Sequence, residues 1–188
     1  MVARLTLGPY RRRMSTERFP ALLDGPGNDV SEPRELLLGY LDWYRRALAR
    51  KTAGLSEAAL RTPVDGLGWA PLGLVRHLGW VERRWIRWGF AAEAVPPCPP
   101  GDDDDAEWDV RGLPGDQVWR EYRSEVAWTG RIVEGVPLDR PAELGGRFRT
   151  PEEAPSLGRI LFHLLQEYAR HVGQLDVARQ LLDGKTGE

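Results

Sequence analysis

The chain contains three histidines, and two of them, His163 and His171, stand on one stretch, Ser156 to Gly184, with Glu167 midway between. An α-helix turns by about 100° per residue, so positions four apart share a face. On such a helix His163, Glu167 and His171 form a stripe of nitrogen and oxygen donors. Donors of this kind suit a divalent metal, Zn foremost, with Ni, Fe and Mn also accepted. Donors at i and i+4 lie about 6 Å apart along the axis and can share one ion, whereas His163 and His171 lie about 12 Å apart. Glu167 with His171 is therefore the favoured pair, and His163 with Glu167 the second choice. His77, on a separate apolar segment, is the candidate third ligand. Three ligands leave coordination positions open, as catalytic metal sites do. The competing reading is structural: Glu167 pairs with Arg170 or a facing arginine, and the histidines are satisfied by hydrogen bonds.

For these groups to meet, helices have to carry them. Ser31-Glu32-Pro33 has the make-up of a helix start, and apolar residues from Leu36 to Leu48 follow at helical spacing to about Lys51. A short turn of helix begins at Leu55-Ser56-Glu57 and ends near Arg61. Pro71 starts the second long helix, PLGLVRHLGWVERRWIRWGFA, on which Leu74, Leu78, Val81, Trp85 and Trp88 share an arc of roughly 80°. His77 borders that arc, with Trp80 and Arg84 on its other flank. The third long helix spans Asp116 to about Glu134. The fourth is capped by Ser156 and closed by Gly184. On it His171 falls inside the apolar arc, Glu167 at its edge and His163 just outside. A carboxylate at the edge of a core face is costly unless paired or coordinated.

The connections are long and irregular: Val95 to Gly115, with Cys98 and the run Asp102 to Asp105, and Pro137 to Pro155. The aspartates lack the alternating spacing of a calcium loop and read as a solvated acidic stretch. Residues 1–30 read as an irregular arm, and Arg11-Arg12-Arg13 as a solvated tail; Met14 is a plausible start, which makes residues 1–13 an upstream extension. No segment alternates as a buried strand does, and no internal repeat is present. The class is all-α, with residues 31–188 as one domain. Four long helices make a four-helix bundle the economical architecture. The connection from the second to the third is long enough to leave those two parallel.

Composition narrows the function. A net charge of −2 and pI near 6.0 argue against nucleic acid or a membrane surface as the main partner. No apolar run approaches the roughly 20 residues that span a bilayer. The N-terminus makes a poor signal peptide, and a single cysteine fits a reducing cytoplasm.

Three stretches carry a resemblance: LGLVRHLGWVERRW (Leu72 to Trp85), FHLLQEYARHVGQLDVARQLLDG (Phe162 to Gly184) and PRELLLGYLDWYRRAL (Pro33 to Leu48). Together they resemble the DinB-like superfamily, in its actinobacterial branch near the mycothiol-dependent maleylpyruvate isomerases, over residues 31–187. The resemblance implies a four-helix bundle running up-down-down-up, a divalent metal on His77, Glu167 and His171, and a possible homodimer. The isomerase-like members have glutamate where others have histidine at the position of Glu167. It also implies a low-molecular-weight thiol, mycothiol-like, as cosubstrate. Residues 92–155 match only in length, and the extra C-terminal domain of the isomerases has no counterpart here. The expected function is a cytoplasmic, metal-dependent thiol transferase acting on a small electrophile. His163 or Arg84 would orient the substrate or move a proton, and Trp80 would wall the pocket. The alternatives are a metal-dependent hydrolase and a non-catalytic metal-binding bundle.

Overall fold

The computed structural model of the chain describes residues 25–96 and 106–185. Cys98, Arg11-Arg12-Arg13, the Asp102–Asp105 run and most of the expected N-terminal arm lie outside these residues. The described residues form an all-α structure. Its helices are α1 (Pro33–Thr52), α2 (Glu57–Arg61), α3 (Pro71–Glu82), α4 (Gly115–Val133) and α5 (Leu157–Asp183). Helix α3 runs on without a break into a π-helical segment, Arg83–Phe90. No described helix is long and apolar enough to cross a membrane.

Local chemistry sets the helix ends. Pro33 and Pro71 occupy first turns, where a missing N–H costs nothing. Ser56 and Ser156 accept from the amides of Ala59 and Arg159, at 3.1 and 3.4 Å. Glu32, not Ser31, caps α1: its carboxylate accepts from the Glu35 amide at 2.9 Å. Gly184 ends α5 at φ 73°, the left-handed conformation that a side chain resists.

Helix α5 packs along α1 and against α3, and α4 packs along α3. The core between them is built from leucines of every long helix but α4, among them Leu41, Leu48, Leu74, Leu78, Leu161, Leu164 and Leu175, together with Val118, Tyr122 and Val133 of α4. One polar cluster interrupts it. Glu82 is 0% exposed. Arg45 of α1 donates to its Oε1 from Nε and a terminal nitrogen at 3.0 and 2.7 Å. Thr129 of α4 donates to its Oε2 at 2.5 Å, and the Tyr168 hydroxyl of α5 lies 2.8 Å from Oε1 and 3.0 Å from the Tyr122 hydroxyl. Burial raises both tyrosines. For Arg45, burial pulls the guanidinium down, but Glu82, Tyr168 and Tyr122 together outweigh it and hold it well above its ordinary value. One ion pair thus connects α1 to α3, and its hydroxyl partners add α4 and α5.

The π-helical segment overturns part of the expected second helix. An α-helical wheel places Trp85 and Trp88 on the core face after Val81. Both are only half-buried, and Ile86 and Phe90 take the core positions instead. The cause is the wider turn: the Ala91 amide reaches back five residues to the Ile86 carbonyl at 2.9 Å, so one extra residue enters the turn and the register rotates. The tryptophans are swung toward α5 and toward the segment Pro137–Pro155. That segment is held by an isolated bridge between Pro141 and Ser156, and by amides of Glu143 and Arg147 donating to the carbonyls of Phe90 and Trp88.

Candidate metal centre

His77 projects from the middle of α3 and His171 from the middle of α5, each 8% exposed. Their Nε2 atoms face each other at 3.2 Å. One turn before His171, Glu167 sets its Oε2 3.4 Å from His171 Nε2. One donor atom from each of His77, Glu167 and His171 falls within 4.8 Å of the others, a group that could hold a metal ion.

The groups behind these donors decide where the protons sit. His171 Nδ1 lies 2.9 Å from Gln174 Oε1, an acceptor, so Nδ1 carries the proton and Nε2 the bare lone pair. His77 Nδ1 lies 3.1 Å from Glu107 Oε1, at charge-pairing distance although off the hydrogen-bonding direction. A lone pair facing a carboxylate would be repelled, so the proton belongs on Nδ1 there too. The other Glu107 oxygen meets Arg84 at 2.5 Å. Burial pushes the Glu107 carboxyl up, but His77 and Arg84 outweigh it and hold it below its ordinary value. Trp108 stacks flat on His77, centroids 4.1 Å apart and planes 14° from parallel. Its carbonyl presses so close to α3 that a Cβ added at Gly73 would come within 2.6 Å of it. Only glycine leaves room for this seating. Burial, and then the charge of His77, hold His171 below the ordinary histidine range.

His163 stands one turn further out, with Nε2 3.2 Å from Glu167 Oε1. It therefore touches the carboxylate oxygen that faces away from His171. Its ring lies 4.1 Å from that of Trp85. Burial, reinforced by Arg147, Arg170 and Arg159 and opposed by Glu167, holds its imidazole below the ordinary histidine range. Arg84 reaches the site, but its guanidinium is taken up by Glu107. Trp80 does not reach it: it lies beside Val118 and Tyr122 of α4, under the Arg83 guanidinium at 4.5 Å. It is Trp85 that lies beside His163.

Three groups at the site were not singled out from the sequence. Gln174 had a legible signal, since it stands three residues after His171 on the same helix face. Glu107 had none, because no spacing connects a connecting segment to a helix thirty residues away. Trp108 was visible only as an aromatic residue beside an acidic run.

A family model described as Mycothiol-S-transferase matches residues 36–184. The chain belongs to this family. The match runs from α1 to the end of α5, and it bears out the resemblance to the DinB-like superfamily. A mycothiol-S-transferase family implies a thiol cosubstrate and a small-molecule substrate. No curated protein matches the chain.

Proposed function

We propose that this mycothiol-S-transferase family member is a metal-dependent enzyme that transfers a low-molecular-weight thiol, mycothiol-like, to a small electrophile. The helices are read as a four-helix bundle running up-down-down-up, acting in the cytoplasm with a homodimer possible. His77, Glu167 and His171 would hold a divalent metal, Zn foremost. The observation that carries this reading is the convergence of His77 Nε2, His171 Nε2 and a Glu167 carboxylate oxygen. With the protons on Nδ1, where Gln174 and the charge of Glu107 favour them, two Nε2 lone pairs and a carboxylate oxygen would face one another. Such an arrangement is repulsive unless a cation sits among the donors. Two of the three spacings match as well: ligand atoms about 2.05 Å from a tetrahedral ion stand about 3.3 Å apart, His171 Nε2 lies 3.2 Å from His77 Nε2 and 3.4 Å from Glu167, and all three donors fall within 4.8 Å.

A bound metal supplies acidity, since a coordinated thiol is readily deprotonated. The chain's own residues supply the rest. His163, with Nε2 against Glu167, has no partner on Nδ1 among the described residues, so that atom can take the thiol proton; burial keeps this imidazole neutral at pH 7. Arg84 acts through Glu107 to position His77. Trp108 and Trp85 exclude water from the two histidine faces they cover. The thiolate sulfur then attacks the electrophilic carbon. In a displacement, the C–S bond forms as the leaving group departs with its electron pair. In a conjugate addition, the C=C pair moves to the activating carbonyl and the α-carbon takes up a proton, which His163 can return.

Turnover of an aryl halide or enone should require both the metal-loaded protein and an added thiol. His163→Ala, assayed at saturating metal, should lower kcat by roughly 10²–10⁴-fold, as loss of a general base does. Turnover that is equal with and without thiol would contradict the transferase reading.

A further inference from the structure

A cavity of about 850 Å³ opens beside His163, between α1, α5 and the π-helical segment. Its size is that of a site for a small organic ligand. Tyr40, Tyr44, Trp85 and Phe162 give it aromatic walls, and His163 and Arg159 also line it. Aromatic walls alone would fit many apolar molecules. The cations around them are more selective.

Arg147 is not itself part of the cavity wall: it is half-buried beside it, with its guanidinium 4.4 Å over the ring of Trp85, which is. It is built into that place. Its amide donates to the Trp88 carbonyl at 3.2 Å, and the preceding Gly146 approaches the same carbonyl so closely that an added Cβ would fall 2.1 Å from it. Yet no carboxylate of the described residues pairs with Arg147. Burial and the charge of Arg84 both disfavour its charged form. Arg159, at the cavity wall, also has no ion-pair partner among the described residues, but it is exposed to solvent and bears no such cost. The acids of the candidate centre are already engaged: Glu107 by Arg84 and His77, Glu167 by His163 and His171. A partly buried cation without a counter-ion is costly, and an anion supplied from outside relieves that cost.

We propose that this cavity binds the electrophile, that the electrophile has an apolar, aromatic body with an anionic group, and that Arg147, aided by Arg159, is the specificity-determining residue that reads its charge. The aromatic body lies among Tyr44, Trp85 and Phe162, and the anion meets the arginines. The reacting carbon is thereby held on the side of His163, from which Glu167 and the candidate metal centre are one side chain away. This rests on the transferase reading for the identity of the ligand as substrate, but the binding itself needs neither thiol nor metal.

The test compares an anion with its neutral isostere. Binding of 3-nitrobenzoate and 3-nitrobenzamide is measured by calorimetry on the full chain, and thiol transfer to 4-chloro-3-nitrobenzoate and 4-chloro-3-nitrobenzamide on the metal-loaded protein. The acid should bind about tenfold tighter than the amide and show a similar advantage in kcat/KM. Arg147→Gln should remove that preference while leaving amide binding within about twofold, and Arg147→Lys should restore part of it. Equal binding of acid and amide would overturn the proposal, as would a preference untouched by both Arg147→Gln and Arg159→Gln. So would a charge preference that follows the thiol and not the electrophile when charged and neutral thiols are exchanged. A binding preference that stands while no thiol gives turnover supports the anion subsite and contradicts the transferase reading, so the two failures are told apart.

Discussion

His77 and His171 have the same side chain, and their neighbours decide which ring nitrogen each offers. Gln174 faces His171 Nδ1 and the Glu107 carboxylate lies at charge-pairing distance from His77 Nδ1, which favours protons there, while the two Nε2 atoms face each other. Partners of this kind orient a ligand and raise its basicity, and losing one weakens metal binding by about 10–100-fold. Glu107→Ala should therefore raise the dissociation constant for Zn by that factor in a competition titration with a chromophoric chelator. Glu107→Gln, which keeps an acceptor oxygen, should raise it less. Protons compete with the metal for the same nitrogens. Burial and the charge of His77 hold His171 below the ordinary histidine range, so it is neutral at pH 7 and becomes protonated only as pH falls below that range. Metal occupancy, followed by elemental analysis after dialysis, should be level at pH 7 and above and decline below the ordinary histidine range. Of this site, the pair Glu167 and His171 was legible in the sequence, because i,i+4 spacing on one helix is local information. Glu107 was not, because its place depends on how a connecting segment docks onto α3.

At the scale of elements, α3 is held by two different devices. Its apolar face packs against α4 and α5, and its last residue, Glu82, anchors the buried cluster with Arg45, Thr129 and Tyr168. Removing one partner of a buried ion pair strands the other charge and costs about 3–5 kcal/mol. Glu82→Ala should lower the unfolding free energy by about that amount in urea denaturation at pH 7. Because Glu82 makes none of the donor contacts at the candidate centre, protein that remains folded should keep its metal. The cluster could not be read from the sequence: a Glu and an Arg 37 residues apart on amphipathic helices look like surface charges until the helices pack. Helix ends were more legible, since prolines, serine caps and Gly184 act within a few residues. The π-helical turn left no such signal. Trp85 and Ile86 are both apolar, so the pattern of apolar residues fits either register, and tertiary packing selects the one that buries Ile86 and Phe90 and turns Trp85 toward His163.

Over the whole molecule, the helices bring donors from two distant segments to one place: His77 and His171 are 94 residues apart in sequence and 3.2 Å apart in space. The family match covers both segments, and family membership accounts for the thiol without accounting for the metal. The all-α class follows from periodicity alone, whereas the meeting of α3 with α5 at the height of the histidines depends on packing that no local pattern states. If the centre exists to hold a metal, the metal should also stabilise the fold, because an ion that binds only the folded chain shifts unfolding by mass action. The most direct measurement is the metal content of the purified chain by elemental analysis, wild type beside His171→Ala, with thermal unfolding in parallel before and after chelation. The account predicts about one divalent ion per wild-type chain, its loss in His171→Ala, and a melting temperature that falls on chelation only in the wild type. A wild-type chain that takes up no divalent metal on reconstitution, or a His171→Ala variant that binds it as tightly, would contradict it.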